Sequence, residues 1–363
     1  MIHKTGGFME LKYKENFEET KKYWRAFWEG EVIDRPLLIS NIPKDKNNPV
    51  SPLPYLSGID GKFKKVVEDY EEYAENTIFF AENIPNFTIS FGPDTISYFI
   101  KGAEAKVMVG SGTAWIEPFV NDWKEINRIE IDKGNIWYKR FMDFYRFVGE
   151  RSNGKFLLQM PDSHTHLDLL RGIRGSEKLC IDLVEIPDEI ERRLKEVKDF
   201  FKEIYTEIFN STNMEKWGTT SWIPLYCEGK YEVLQCDFTC MIGQQMFRRF
   251  ALPYIEEEAN FLDHCIFHVD GPGVLRHLDD LLSVEKIDVI QWVPGEGNKP
   301  HIYWIDLFKK IKKAGKGVII YPQSVDEVKI FHKELGPENV VYQLDLESLE
   351  EGEKLIEWLA KNT

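Results

Sequence analysis

The stretch CIFHVDGPGVLRHLDDLLSVEKIDVIQW, residues 265–292, holds one complete unit of the fold. Its first apolar run, 265–269, ends at an acidic residue and two glycines, as a buried strand does on leaving the core. Residues 274–282 place apolar side chains three and four apart with charges between them, which predicts a helix, and 287–292 is apolar again. Two strands joined through a helix by short connections pair in parallel.

The same alternation extends in both directions. Strands are predicted at 156–160, 219–222, 233–236, 265–269, 287–292, 317–321 and 340–344, and helices at 188–209, 244–263, 274–282, 305–314, 325–335 and 349–360. The run 37–42, introduced by Asp34-Arg35-Pro36, supplies an eighth strand. Eight strands alternating with helices predict an α/β fold of the (β/α)8 TIM-barrel type, formed as a single domain over residues 1–363. Residues 1–33 are expected as an N-terminal helical extension, with Trp24, Phe27 and Trp28 on one helix face. Residues 44–130, after the first strand, are expected as a lid or insertion with a charged helix at 62–75 and a β-rich segment at 106–120.

With 363 residues, 43% hydrophobic and 13% aromatic, the chain has material for a large core and is not disordered. Its formal charge of −15 repels phosphate backbones and anionic lipid, so neither nucleic acid nor membrane is an expected partner. The N-terminal segment has no apolar signal region, and the five cysteines have no framework spacing; both features predict a cytoplasmic protein with reduced thiols. No P-loop, GxGxxG after a strand, GxSxG elbow or CxxC pair occurs.

A barrel gathers its chemistry at the C-terminal ends of the strands. His268 and Asp270 stand there two apart, on one face of a strand, as a metal-ligand pair or as a general base with its orienting carboxylate. A satisfied histidine with a helix-capping aspartate would give the same spacing. His164 and His166, just after another strand, fit the ligand pair of a divalent-metal hydrolase, or else a loop that caps the following helix. Asn41, Asp162, His164, Trp222, Glu228, Asp237, Gln291, Trp292 and Gln343 are the candidate contacts to a small-molecule substrate. Trp115, Trp222 and Trp292 beside loop carboxylates also allow a carbohydrate-binding barrel.

LQCDFTCMIGQQMFRRFALPYIEE (234–257), LRGIRGSEKLCIDLVEIPDEIERRL (170–194) and CIFHVDG (265–271) together resemble the uroporphyrinogen decarboxylase superfamily, over about half the chain, 161–297. The resemblance implies a (β/α)8 barrel that either decarboxylates uroporphyrinogen in porphyrin biosynthesis or transfers methyl groups between a corrinoid protein and a small acceptor. Three departures bear on the choice. SNIPKDKNNP (40–49) stands where the decarboxylases carry an arginine-rich stretch, Asp237 stands in place of a serine, and VYQLDLE (341–347) replaces Gly-His-Gly. A substrate of many carboxylates needs cations that are missing here. Methyltransferases of the superfamily hold zinc through His-x-Cys and a later Cys; the corresponding His268-x-Asp270 offers harder donors. The expectation is therefore a methyltransferase acting on a small methylated compound, with a corrinoid protein as candidate partner and a divalent metal such as zinc as candidate cofactor.

Overall fold

The computed structural model describes residues 10–108 and 113–363. Residues 109–112 of the expected β-rich segment and the first nine of the N-terminal extension lie outside the described residues. In chain order the strands are β1 Leu37–Pro43, β2 Thr77–Ala81, β3 Asn86–Phe87, β4 Ala105–Met108, β5 Thr113–Ile116, β6 Leu157–Met160, β7 Thr220–Ser221, β8 Tyr231–Leu234, β9 His264–Asp270, β10 Val289–Val293, β11 Gly317–Ile320 and β12 Val340–Gln343. β8, β9, β10, β11, β12 and β1 form one parallel run in that order, with β2 antiparallel on its edge. A second parallel run is β3, β6 and β7, and β4 with β5 forms a separate hairpin in the insertion.

The expected continuous ring of eight paired strands is not observed among the described residues. The backbone ladder is interrupted at two seams, and Asn86–Phe87 enters the sheet as a strand from within the segment expected to be only a lid. Buried polar side chains lie beside each seam. In the turn that leads from β2 to β3, Glu82 accepts the Leu38 amide at 3.0 Å and a bidentate pair from Arg35 at 2.8 and 2.7 Å, while Asn83 donates to the Ser40 carbonyl at 3.0 Å. Between β7 and β8, the fully buried Glu232 accepts from Ser221 and from the Val233 amide.

Side-chain packing still makes the interior continuous. Leu37, Ile39, Leu157, Val233, Ile266, Val289, Ile319 and Val341, drawn from both runs, meet in one buried cluster with Trp24 and Phe27 of the helix Phe17–Trp28. That amphipathic helix covers the N-terminal face, and the Trp24 indole donates to the Glu82 carbonyl at 3.0 Å. The outer strand faces pack against the surrounding helices in a second, larger core. The result is a barrel-like α/β fold, open in its hydrogen bonding and closed in its packing.

The long helices expected at 188–209 and 244–263 are each divided in two. In the second, the helix Gln244–Phe250 gives way to Leu252–Phe261 where Pro253 cannot donate a backbone hydrogen bond. Among the described residues no helix is long and apolar enough to cross a membrane.

Candidate functional site

Successive inward-facing residues along a strand lie two apart, so each strand that places an apolar side chain in the inner cluster carries another inward position toward its C-terminal end. Those positions are Asn41 on β1, Gln159 on β6, Gln235 just past β8, His268 on β9, Gln291 on β10, Tyr321 just past β11 and Gln343 on β12. The interior therefore changes from aliphatic to carboxamide, phenol and imidazole over one strand repeat. The ring is linked. Gln159 accepts from Thr88 at 2.6 Å and donates to Asn86, the Gln291 amide donates to the Tyr321 hydroxyl at 3.1 Å, and Gln235 donates to Asp162.

The Gln291 carbonyl oxygen faces His268 Nδ1 as a hydrogen-bond acceptor. Since Gln291 commits its NH2 to Tyr321, Nδ1 of His268 is the protonated nitrogen, and Nε2 is left as a base or a ligand. Trp222 meets this imidazole edge to face, with centroids 5.1 Å apart.

Beside His268, ligand atoms of Asp237, His268 and Asp270 all lie within 4.8 Å of one another. Asp237 is held by its backbone: the buried Asp168 carboxylate accepts the Asp237 amide at 2.9 Å and the Phe238 amide at 2.8 Å. His164 lies 3.6 Å from Asp168, 3.7 Å from Asp162 and 3.9 Å from Asp237, and its Nδ1 is buried without a hydrogen-bond partner. Burial opposes a charged imidazole here, but Asp168, Asp162, Asp237 and Asp94 outweigh it and raise the His164 pKa above its ordinary 6.5. Asp162 and Asp237 are raised from the ordinary aspartate value, chiefly because burial penalises their charge; His164 and His268 pull both back, and Asp168 pushes both further up. Asp94 is paired with Arg171 at 3.0 Å, which leaves Asp162, Asp168, Asp237 and Asp270 facing His164 and His268 with no lysine or arginine among their ion pairs in the described residues.

The structure thus brings together His268, Asp270, Asp237, Asp162, His164, Trp222 and Gln291, and places Asn41 and Gln343 on the same inner face. Three expectations are corrected. Glu228 is not at the mouth: the loop after β7 folds back so that Cys227 bridges Thr219, and Glu228 forks onto Arg25 of the N-terminal helix, with Lys21 3.5 Å away. Trp292 points outward, fully buried in the outer core against Trp304. His166 does not join His164 in a ligand pair. It begins the helix His166–Arg174 with a left-handed φ of 36°, and its ring turns into the helical layer, 3.6 Å from Glu258. Asp168, Gln159 and Gln235 are site residues that no sequence motif marks; Asp168 follows His164 by four residues, and each glutamine follows an inward aliphatic residue by two.

No family model and no curated protein matches the sequence. Among solved structures, the fold is similar to a methyltransferase from Methanosarcina mazei, with a TM-score of 0.61 and 11% identity, covering 94% of this chain and 98% of that one. At that identity the likeness is one of fold.

Proposed function

We propose that the chain is a methyltransferase-like enzyme of the uroporphyrinogen decarboxylase superfamily that acts on a small methylated compound at the C-terminal mouth of the barrel. The observation that carries this reading is the convergence of Asp237, His268 and Asp270 at that mouth, in a fold shared with a methyltransferase. Two of the three donors come from one strand end and the third from a loop pinned by Asp168. Their oxygen and nitrogen donors suit a borderline or hard divalent cation such as zinc, and four clustered carboxylates would gain from one. Held there, the cation would supply Lewis-acid polarisation of an acceptor or leaving group.

The protein's own groups have separable tasks. Gln291 fixes the tautomer of His268 and presents Nε2 to the site. His164, beside Asp237 and raised in pKa by its carboxylate neighbours, is placed to donate a proton to the departing group once its methyl has left. Trp222 and the carboxamide ring exclude water without adding charge. Decarboxylation of a polyanionic substrate is disfavoured, because such a substrate would meet carboxylates and neutral amides; separation of His164 from His166 disfavours the two-histidine hydrolase reading.

The test mixes zinc-loaded protein with methylcobalamin, as a stand-in for a corrinoid partner, and a panel of thiol and amine acceptors, following demethylation by visible absorbance. Turnover by the wild type that falls at least about a hundredfold in Asp237→Asn supports the reading. Turnover that survives the substitution, or its absence with every acceptor, overturns methyl transfer from a corrinoid.

A further inference from the structure

A cavity of about 310 Å³ opens beside the mouth, on the β1 and β3 side; Asn41 of the inner ring lines it. Asn41 and Thr88 contribute polar edges, Tyr55 comes from the loop after β1, Tyr70 and Tyr73 from the helix Phe63–Glu75, and Phe79 from β2. Its walls are aromatic and lie in different planes: Tyr70 and Tyr73 have centroids 6.0 Å apart at 47°, and Tyr73 and Phe79 6.4 Å apart at 86°. Tyr70 is buried and its hydroxyl has no hydrogen-bond partner, an unmet polar group at the edge of a cavity. None of the described residues lining the cavity is charged, yet Tyr55 feels Asp162, a mouth carboxylate with no lysine or arginine among its ion pairs in the described residues.

We propose that this cavity is a subsite for a small alkylated ammonium ion, seated among Tyr55, Tyr70, Tyr73 and Phe79 in the field of the mouth carboxylates. The methyl groups of such an ion need apolar walls, and its charge needs aromatic faces or anions within reach; non-parallel rings beside an acid-rich mouth supply both. An anion would be repelled, and a hydrated metal ion would find no carboxylate among the lining residues. A neutral apolar guest would fill the walls but gain nothing from the field. The volume is at the small end of ligand pockets, which fits a compact ion. This deepens the methyl-transfer reading by naming a substrate class, and it rests on that reading only in treating the mouth as the reacting site.

Calorimetric titration with choline and with 3,3-dimethyl-1-butanol, its neutral isostere, tests the proposal without requiring turnover. Choline is expected to bind at least about tenfold more tightly than the isostere. Tyr73→Leu, at a half-buried position that tolerates loss of the ring, should remove most of that difference, while Tyr73→Phe should keep it. Equal affinity for the two probes, binding of neither, or preference for choline unchanged in Tyr73→Leu overturns the subsite. Selective choline binding without any demethylation would leave the subsite standing and count against methyl transfer alone.

Discussion

The base and the mouth of the barrel interior are built from the same strands, one strand repeat apart, and differ in nearly every chemical respect. Ile266 and Val289 face each other at the base, and His268 and Gln291 pair at the mouth. Below, aliphatic side chains from both parallel runs close over a tryptophan-bearing helix. Above gather carboxamides, two histidines and carboxylates with no lysine or arginine among their ion pairs in the described residues. The difference teaches that stability and chemistry are divided along the strand axis, so a two-residue step decides whether a substitution costs folding or function.

The largest effect is expected at the base seam. Arg35 and Glu82 form a buried bidentate pair that ties the start of β1 to the turn between β2 and β3, beside the seam. Removing one partner leaves a buried charge, so Arg35→Ala should cost about 3–5 kcal/mol in denaturant unfolding. A loss under about 1 kcal/mol would show that the seam is held by packing alone.

A smaller effect separates base from mouth by pH. Burial raises the Glu232 pKa well above the ordinary 4.5, so its protonated form stabilises the fold at low pH and that contribution is lost as pH rises through the folded value. Glu232→Gln should therefore flatten a decline of stability above pH 4.5. His164 has the same sign but a higher window: its charged form contributes fully below the ordinary 6.5, and the contribution disappears through the raised folded value. Replacing it with Asn should alter the stability profile only from there upward. Indistinguishable profiles for the two variants would break the distinction.

The fold was legible where periodicity was strong. Residues 265–292 gave strand, helix and strand in the right order because apolar runs and charged spacing alternate cleanly there. The seams are not legible, since Glu82, Asn83 and Glu232 find their partners only once distant segments meet. At the site, His268, Asp270 and Asp237 were legible from strand ends. Gln291 and Trp292 were both assigned to the pocket, although adjacent strand residues face opposite sides and only one can enter it. Glu228 was misplaced because a loop that doubles back to the base leaves no mark in local sequence. Gln159 and Gln235 were hidden within apolar runs, where phase rather than composition marks the inward side.

The division between base and mouth is tested most directly by comparing Ile266→Ala with His268→Ala in thermal unfolding and in zinc titration by calorimetry. Ile266→Ala is expected to lose about 2–5 kcal/mol of stability and still bind one zinc per chain. His268→Ala is expected to unfold near the wild-type temperature and to lose that zinc. Wild-type zinc binding by His268→Ala, or destabilisation equal to that of Ile266→Ala, would contradict the division and the proposed metal site with it.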